Sequence, residues 1–269
     1  MVVGFDDGTL SVVRPSVDVG SASSTQPIPA MPSGATAAIA VLSFAPGSGA
    51  TGGLLAIGSH DRTVRVLELV ADTATQRGGR LKLVPRCCCS GHTGTVTHLD
   101  WSADATLLMT NDTAHEILVW SMPAGKRVAH AVRAVATVHW ATWTCVLGFP
   151  CMGIFPEGAN TTLVNSCHIS GDGSALLTAD DDGALKLFNA PCVVEGAPYT
   201  EGTGHCAGIT CARFLRGDQT AVSSGGVDRS VMLWRVARGA PPSQGRAVAA
   251  LPEMVARQCM LQPPLKGID

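Results

Sequence analysis

The sequence predicts an all-β fold of the β-propeller kind, and three observations predict it. A unit made of a β-rich run, a small-residue turn around an aspartate and a second, alternating apolar run recurs five times along 269 residues. The turn position falls at 7, 61, 114, 182 and 228, so successive turns lie 54, 53, 68 and 46 residues apart. A four-stranded blade takes roughly 40–45 residues, so these are blades with loop insertions. In every copy a large apolar or aromatic residue follows the turn position by six: Val13, Leu67, Trp120, Phe188 and Trp234.

The first copy, Val3–Val13 around Asp7, is incomplete, and residues 1–14 read as the second half of a blade. Residues 15–36, rich in Ser, Pro and Ala, read as an insertion loop. Four blades follow over 37–236, with hairpins at Leu54–Leu67, Leu107–Trp120, Leu176–Phe188 and Ala221–Trp234. Each has a strand upstream: Ala38–Phe44, Thr95–Trp101, Val164–Ile169 and Ile209–Phe214. Alternation such as Val64-Arg65-Val66 buries one face of a strand. Aspartate at the tight turn bonds its own nearby amides, and glycine supplies unusual φ. Residues 237–269 read as a tail, with a short helix over Ala247–Arg257 broken near Pro252. Propellers have roughly 4–8 blades, and open strand edges invite aggregation. About four complete blades plus half a blade therefore predict a partial propeller, truncated at the N-terminus with Met1 inside a blade.

Two copies carry a Gly-His pair before their first strand, Gly91-His92 and Gly204-His205. This resembles the WD40 repeat, in which such a histidine packs behind the blade and bonds a Ser or Thr, the turn Asp and the Trp. The resemblance implies a full set of His205, Ser224, Asp228 and Trp234 in the last blade. It implies His92, Thr110 and Trp120 in the third, where Ala114 replaces the aspartate and leaves an incomplete network in a softer blade. Asp61 and Asp182 are the corresponding turn residues of the second and fourth blades.

The composition excludes other classes. With 46% hydrophobic and 15% charged residues the chain has ample core for a folded domain. A net charge of −2 supplies no field for nucleic acid or an anionic membrane. No apolar run reaches the ~18 residues of a membrane span, and the first residues have no signal-peptide pattern. Ten cysteines diluted along such a chain suggest buried thiols in a reducing compartment. Cys87-Cys88-Cys89 cannot converge on one tetrahedral ion, since neighbours on a strand face opposite ways, and no CxxC pair exists. Asp180-Asp181-Asp182 lacks the spaced ligands of a calcium loop. The glycine-rich stretch 47–53 lacks the Lys and Ser/Thr of a phosphate loop. His205, Ser224 and Asp228 imitate a catalytic triad, but they are the implied blade network. The expectation is no enzyme, no metal, no cofactor and no small-molecule substrate.

From Trp140 the pattern becomes specific. The stretch Trp140–Pro156, with Trp143, Gly148, Phe149 and Gly153, closely resembles a segment near the C-terminus of the EMAP-like (echinoderm microtubule-associated protein-like) family. Asp181-Asp182, Leu187-Phe188, Pro191-Cys192, Gly204-His205 and Arg229–Trp234 continue the likeness to about Val236. Residues 1–139 match only as WD-type blades. The resemblance implies tandem propellers that bind tubulin or microtubules, in the cytoplasm and on the cytoskeleton. The family's coiled coil, basic region and first-propeller motif do not occur in these residues. The alternative is a WD40 scaffold of another multiprotein complex, because fold does not fix function. Trp101, Trp120, Trp140 and Trp143 read as core by position, and packing between blades is the favoured reading of Trp143. Trp143, if exposed, is a binding anchor, and Asp104, Asp172, Arg216 and Asp218 are loop positions for protein contact.

Overall fold

The computed structural model describes residues 2–14, 23–24, 28–29, 37–47, 53–72, 80–129, 131, 135–136, 138–155, 164–238 and 259–262. Among them the chain forms five four-stranded antiparallel sheets, each built from consecutive strands. They fall into two compact units, Met1–Ala141 and Thr142–Asp269.

In the first unit, the first sheet contains β1 (Val2–Gly4), β2 (Thr9–Arg14), β3 (Ser23–Ser24) and β4 (Ile28–Pro29). β3 and β4 pair with successive stretches of β2, through Val13↔Ser24 and then Leu10↔Ile28, so they are two pieces of one outer strand. Pro29, with no amide to donate, fits an outer edge. The segment expected as an insertion loop thus contributes strand. The second sheet is β5 (Ile39–Phe44), β6 (Gly53–Ser59), β7 (Thr63–Asp72) and β8 (Arg80–Ser90). The third is β9 (Val96–Trp101), β10 (Leu107–Asp112), β11 (Ile117–Ser121) and β12 (Lys126–Arg127). Counting from the aspartate hairpins, β1 and β2 correspond to β6 and β7. The first sheet therefore has no described counterpart of β5.

Alternation decides which side chains meet. Val64, Val66, Leu99, Trp101, Leu108, Leu118 and Trp120 form one core cluster. Leu10, Leu55, Ile57, Leu67, Leu69 and Leu83 form another. The Trp101 indole N–H donates to the Ser43 carbonyl at 3.1 Å and ties the third sheet to the second. Truncating a buried aromatic of this kind costs about 3–5 kcal/mol.

The second unit opens with a short 3-10 helix, η1 (Phe149–Ile154). The fourth sheet is β13 (Val164–Ile169), β14 (Ala175–Asp180), β15 (Leu185–Asn189) and β16 (Tyr199–Gly202). The fifth is β17 (Ile209–Phe214), β18 (Thr220–Gly225), β19 (Val231–Arg238) and β20 (Cys259–Gln262). β20 pairs with β19 from Arg235↔Gln262 to Arg238↔Cys259, so part of the expected tail is the fourth strand of this sheet. The helix expected over Ala247–Arg257 lies outside the described residues. Leu177, Leu185, Leu187, Ile209, Phe214 and Trp234 share the core. Polar bonds join the two sheets. The Ala212 amide donates to Ser166 Oγ at 3.0 Å, and the Phe214 amide donates to His168 Nδ1 at 3.1 Å.

The hairpin turns follow one rule. Asp7, Asp61, Asp182 and Asp228 each accept the amide two residues on, from Thr9, Thr63, Ala184 and Ser230 at 2.9–3.1 Å. In the third sheet it is Asp112 that does so, accepting from Ala114 at 3.0 Å.

Candidate functional site

The best-defined polar cluster lies behind the fifth sheet. The Trp234 indole N–H donates to Ser223 Oγ at 2.7 Å. Ser223 Oγ lies 2.7 Å from His205 Nε2, and His205 Nδ1 lies 2.7 Å from Asp228 Oδ2. A carboxylate only accepts, so Nδ1 carries the proton and Nε2 accepts from the Ser223 hydroxyl. The Ser230 amide and the His205 ring hold the Asp228 carboxyl down at a pKa of about 2.

The serine is Ser223, not the expected Ser224. Trp234 pairs with Ala221, and the hydroxyl two residues along the same face of β18 is Ser223. Ser224 points to the other face and meets Thr210 Oγ1 at 3.1 Å. The offset of one arises because this turn is one residue longer than that of the third sheet.

The third sheet has the same chain of bonds. Trp120 Nε1 donates to Thr110 Oγ1 at 3.0 Å, which lies 2.6 Å from His92 Nε2. His92 Nδ1 meets Asp112 Oδ2 at 3.1 Å. The expectation of an incomplete network is therefore overturned. Asp112 supplies the carboxylate two positions before Ala114, from the first position after the paired residue Asn111, in a turn that is one residue shorter than that of the fifth sheet. Asp112 also accepts amides from Gly94 and Glu116 at 3.0 and 2.8 Å. Burial opposes its ionisation, but those amides and His92 outweigh burial and lower its pKa. Burial lowers the pKa of His92, against the pull of Asp112.

The second and fourth sheets fill the equivalent positions differently. Leu67 pairs with Leu55, and Ile57 stands where the hydroxyl would be. Asp61 there binds Thr63 and forms an ion pair with Arg65 at 2.7 Å. In the fourth sheet Phe188 replaces tryptophan, and Lys186 Nζ meets Asp180 Oδ2 at 2.5 Å with both side chains nearly buried. Lys186 also lies 5.5 Å over the Tyr199 ring. Asp182 is mostly a turn residue, 3.8 Å from that ammonium.

These clusters offer little to a ligand. The geometry of Ser223, His205 and Asp228 is that of a nucleophile, base and orienter, yet Ser223 is only 1% exposed and its oxygen already accepts from Trp234. His92, Asp112 and Glu116 place possible ligand atoms within 4.8 Å of one another. The chain itself occupies them, with the Thr93 amide donating to Glu116 at 3.0 Å.

Residues of the Trp140–Phe155 stretch bond to backbone groups on either side of it; Pro156 lies outside the described residues. Trp140 Nε1 donates to the Val135 carbonyl at 3.3 Å. Trp143 is 5% exposed, which agrees with its reading as a packed residue and corrects the alternative of a surface anchor. Its ring explains Gly148, which has φ 134° and where a Cβ would stand 2.5 Å from Trp143 Cζ2. A Cβ on Gly153 would stand 2.2 Å from the Val194 carbonyl oxygen. The Gly153 amide donates to Cys192 and the Cys192 amide to Pro150, both at 2.8 Å. The outcome is a packed underside and an apolar outside, with Phe149, Met152, Phe155 and Val194 all exposed.

The expected contact loops are occupied in part. Asp104 and Asp172 each cap their own turns, on Thr106 and Ser174. Asp218 accepts the Gly171 amide at 3.0 Å and links two loops. Arg216 is exposed.

Repeated four-stranded sheets, aspartate hairpins and Trp–Ser/Thr–His–Asp chains define a WD40-type β-propeller. Comparison of solved structures agrees: the C-terminal WD40 domain of Sif2 superposes over 87% of this chain and 65% of that one, with a TM-score of 0.54 at 15% identity, a likeness of fold alone. Residues 1–236 match the model of the echinoderm microtubule-associated protein second β-propeller, and the chain belongs to that family. It is 42% identical over 199 residues to echinoderm microtubule-associated protein-like 2 of Mus musculus, covering 74% of this chain and 29% of that protein. Against the like-1 protein of Mus musculus it is 38% identical over 185 residues, 69% of this chain and 22% of the relative. Against the like-4 protein of Xenopus laevis it is 33% identical over 216 residues, 79% and 22%. The chain thus spans under a third of the length of these relatives. Among the described residues no helix is long and apolar enough to cross a membrane.

Proposed function

We propose that the chain is a non-catalytic protein-interaction propeller that binds tubulin or the microtubule, on the cytoskeleton. The match of residues 1–236 to a propeller of microtubule-associated proteins carries the reading. The geometry supports its non-catalytic part, because Ser223 and Thr110, the two hydroxyls aligned with a histidine in these chains, are both buried against an indole. Exposed Phe149, Met152, Phe155 and Val194 supply apolar contact area beside the stretch that resembles the family, and Arg216 supplies an exposed cation. The reading invokes no metal, cofactor, nucleic acid or membrane.

The test is co-sedimentation of the purified chain with polymerised microtubules, beside retention on immobilised tubulin dimer. An unrelated WD40 propeller serves as control. Saturable binding above that control supports the reading. Recovery no greater than the control in both assays overturns it and leaves the scaffold alternative.

A further inference from the structure

Strand β8 carries three consecutive cysteines, and the pleat divides them. Cys88 is exposed on one face, while Cys87, half-buried, and Cys89, 1% exposed, share the other. The two like-facing sulfurs converge on one place. A Cβ built on Gly125 would stand 3.0 Å from Cys87 Sγ and 3.3 Å from Cys89 Sγ. Gly125 has φ 64° in the turn between β11 and β12, so glycine both makes that turn and leaves the sulfurs room. β8 is the outermost strand of its sheet, paired only with β7, and the pairing is already irregular just before Cys87, where Val66 meets Cys87 and Leu67 meets Pro85.

The thiols are unequal. The neighbouring Cys89 thiol lowers the Cys87 pKa to about 7, and Cys87 together with burial pushes that of Cys89 far up. A partly accessible thiolate beside a second thiol is the arrangement that oxidises reversibly. Residues two apart on a strand have Cα atoms about 6.6 Å apart, at the upper end of what a disulfide spans, and like-facing Cβ atoms are as far apart, so the bridge requires this outermost strand to bend and draw Cys87 and Cys89 together.

We propose that Cys87 and Cys89 are a peroxide-oxidisable dithiol, with Cys87 attacking and Cys89 resolving. The Cys87 thiolate attacks the hydroperoxide, the O–O bond breaks, and the departing oxygen leaves as alcohol or water after taking a proton. Cys87 becomes a sulfenic acid. The Cys89 sulfur then attacks the Cys87 sulfur, the S–O bond breaks, and water leaves with the Cys89 proton. Two thiols are oxidised to one disulfide as the peroxide is reduced.

The test treats the whole chain with equimolar hydrogen peroxide, alkylates it, digests it and reads the cysteine peptide by mass. The expected result is a peptide lighter by two hydrogens with only Cys88 alkylated, reverting to three alkylatable thiols after dithiothreitol. In Cys89→Ala, Cys87 should instead persist as a sulfenic acid captured by dimedone. Alkylation of all three cysteines in the peroxide-treated protein, a bridge through Cys88, or sulfinic acid at Cys87 without a disulfide overturns the proposal.

Discussion

Asp112 meets the ring of His92 at 3.1 Å although it stands two residues before the position where the other blades hold their turn aspartate. That one carboxylate also satisfies the amides of Gly94, Ala114 and Glu116. Asp112→Ala should destabilise the protein by about 2–4 kcal/mol, because it leaves a buried ring N–H and chain amides without an acceptor. Ala114→Asp, which would restore the apparent consensus, should change stability by less than about 0.5 kcal/mol. Urea midpoints of the two variants check this. A strong gain from Ala114→Asp would show that the third blade lacks its carboxylate after all.

Ser223 and Ser224 are neighbours with opposite environments. Ser223→Ala removes the acceptor of Trp234 and the donor to His205, and should cost about 1–3 kcal/mol. Ser224→Ala, on the outward face, should cost under about 1 kcal/mol. Thermal unfolding of both separates them, and equal losses would contradict the register described.

His168 predicts a pH dependence. Its Nδ1 accepts the Phe214 amide, so the ring must stay neutral, and burial, then Arg213, lower its pKa from 6.5 to about 4. The unfolded chain takes up a proton first as pH falls, so the stability is whole above about pH 6.5 and declines down to about pH 4. The full loss is on the order of 3 kcal/mol. Urea denaturation at pH 7 and 5 should show the decline in the parent chain and a smaller one in His168→Asn.

Lys186 and Asp180 form a nearly buried ion pair. Lys186→Met should cost about 3–5 kcal/mol by leaving the carboxylate uncompensated, and adding Asp180→Leu should recover most of it. A double variant as unstable as the single one would be against this account.

The exposed apolar residues of η1 separate binding from folding. Met152→Ser with Phe149→Ser should leave the melting temperature within a few degrees and lower microtubule recovery several-fold. By contrast Gly148→Ala strains the φ 134° backbone and meets Trp143, and should destabilise by more than about 1 kcal/mol. Unchanged recovery in the serine double variant would remove η1 from the binding surface.

Much of the fold was legible because strands alternate. The five hairpins, the four upstream strands and the core tryptophans Trp101 and Trp120 follow from period-two patterning. The outer strands were not, for physical reasons. β12 is Lys126-Arg127, with both side chains in solvent, and β20 follows β19 only after a long intervening segment. The site was legible where side chains sit on strands and lost where turns intervene. Thr110 stands where the resemblance to the WD40 repeat implies, whereas Ser223 and Asp112 do not, because the fifth hairpin encloses one residue more than the third and the third carries its carboxylate at the start of the turn. Lys186–Asp180 carries no motif, since only the pairing of β14 with β15 reveals it.

The Trp234–Ser223–His205–Asp228 chain has a consequence for how such sites are read. By interatomic distances alone, Ser223, His205 and Asp228 are placed as a hydrolase places its nucleophile, base and orienter. What separates a rivet from a reaction centre here is solvent access to one oxygen: the indole that closes it converts catalytic geometry into a fastener. Removing that cover with Trp234→Gly would therefore test whether folds of this kind hold dormant chemistry.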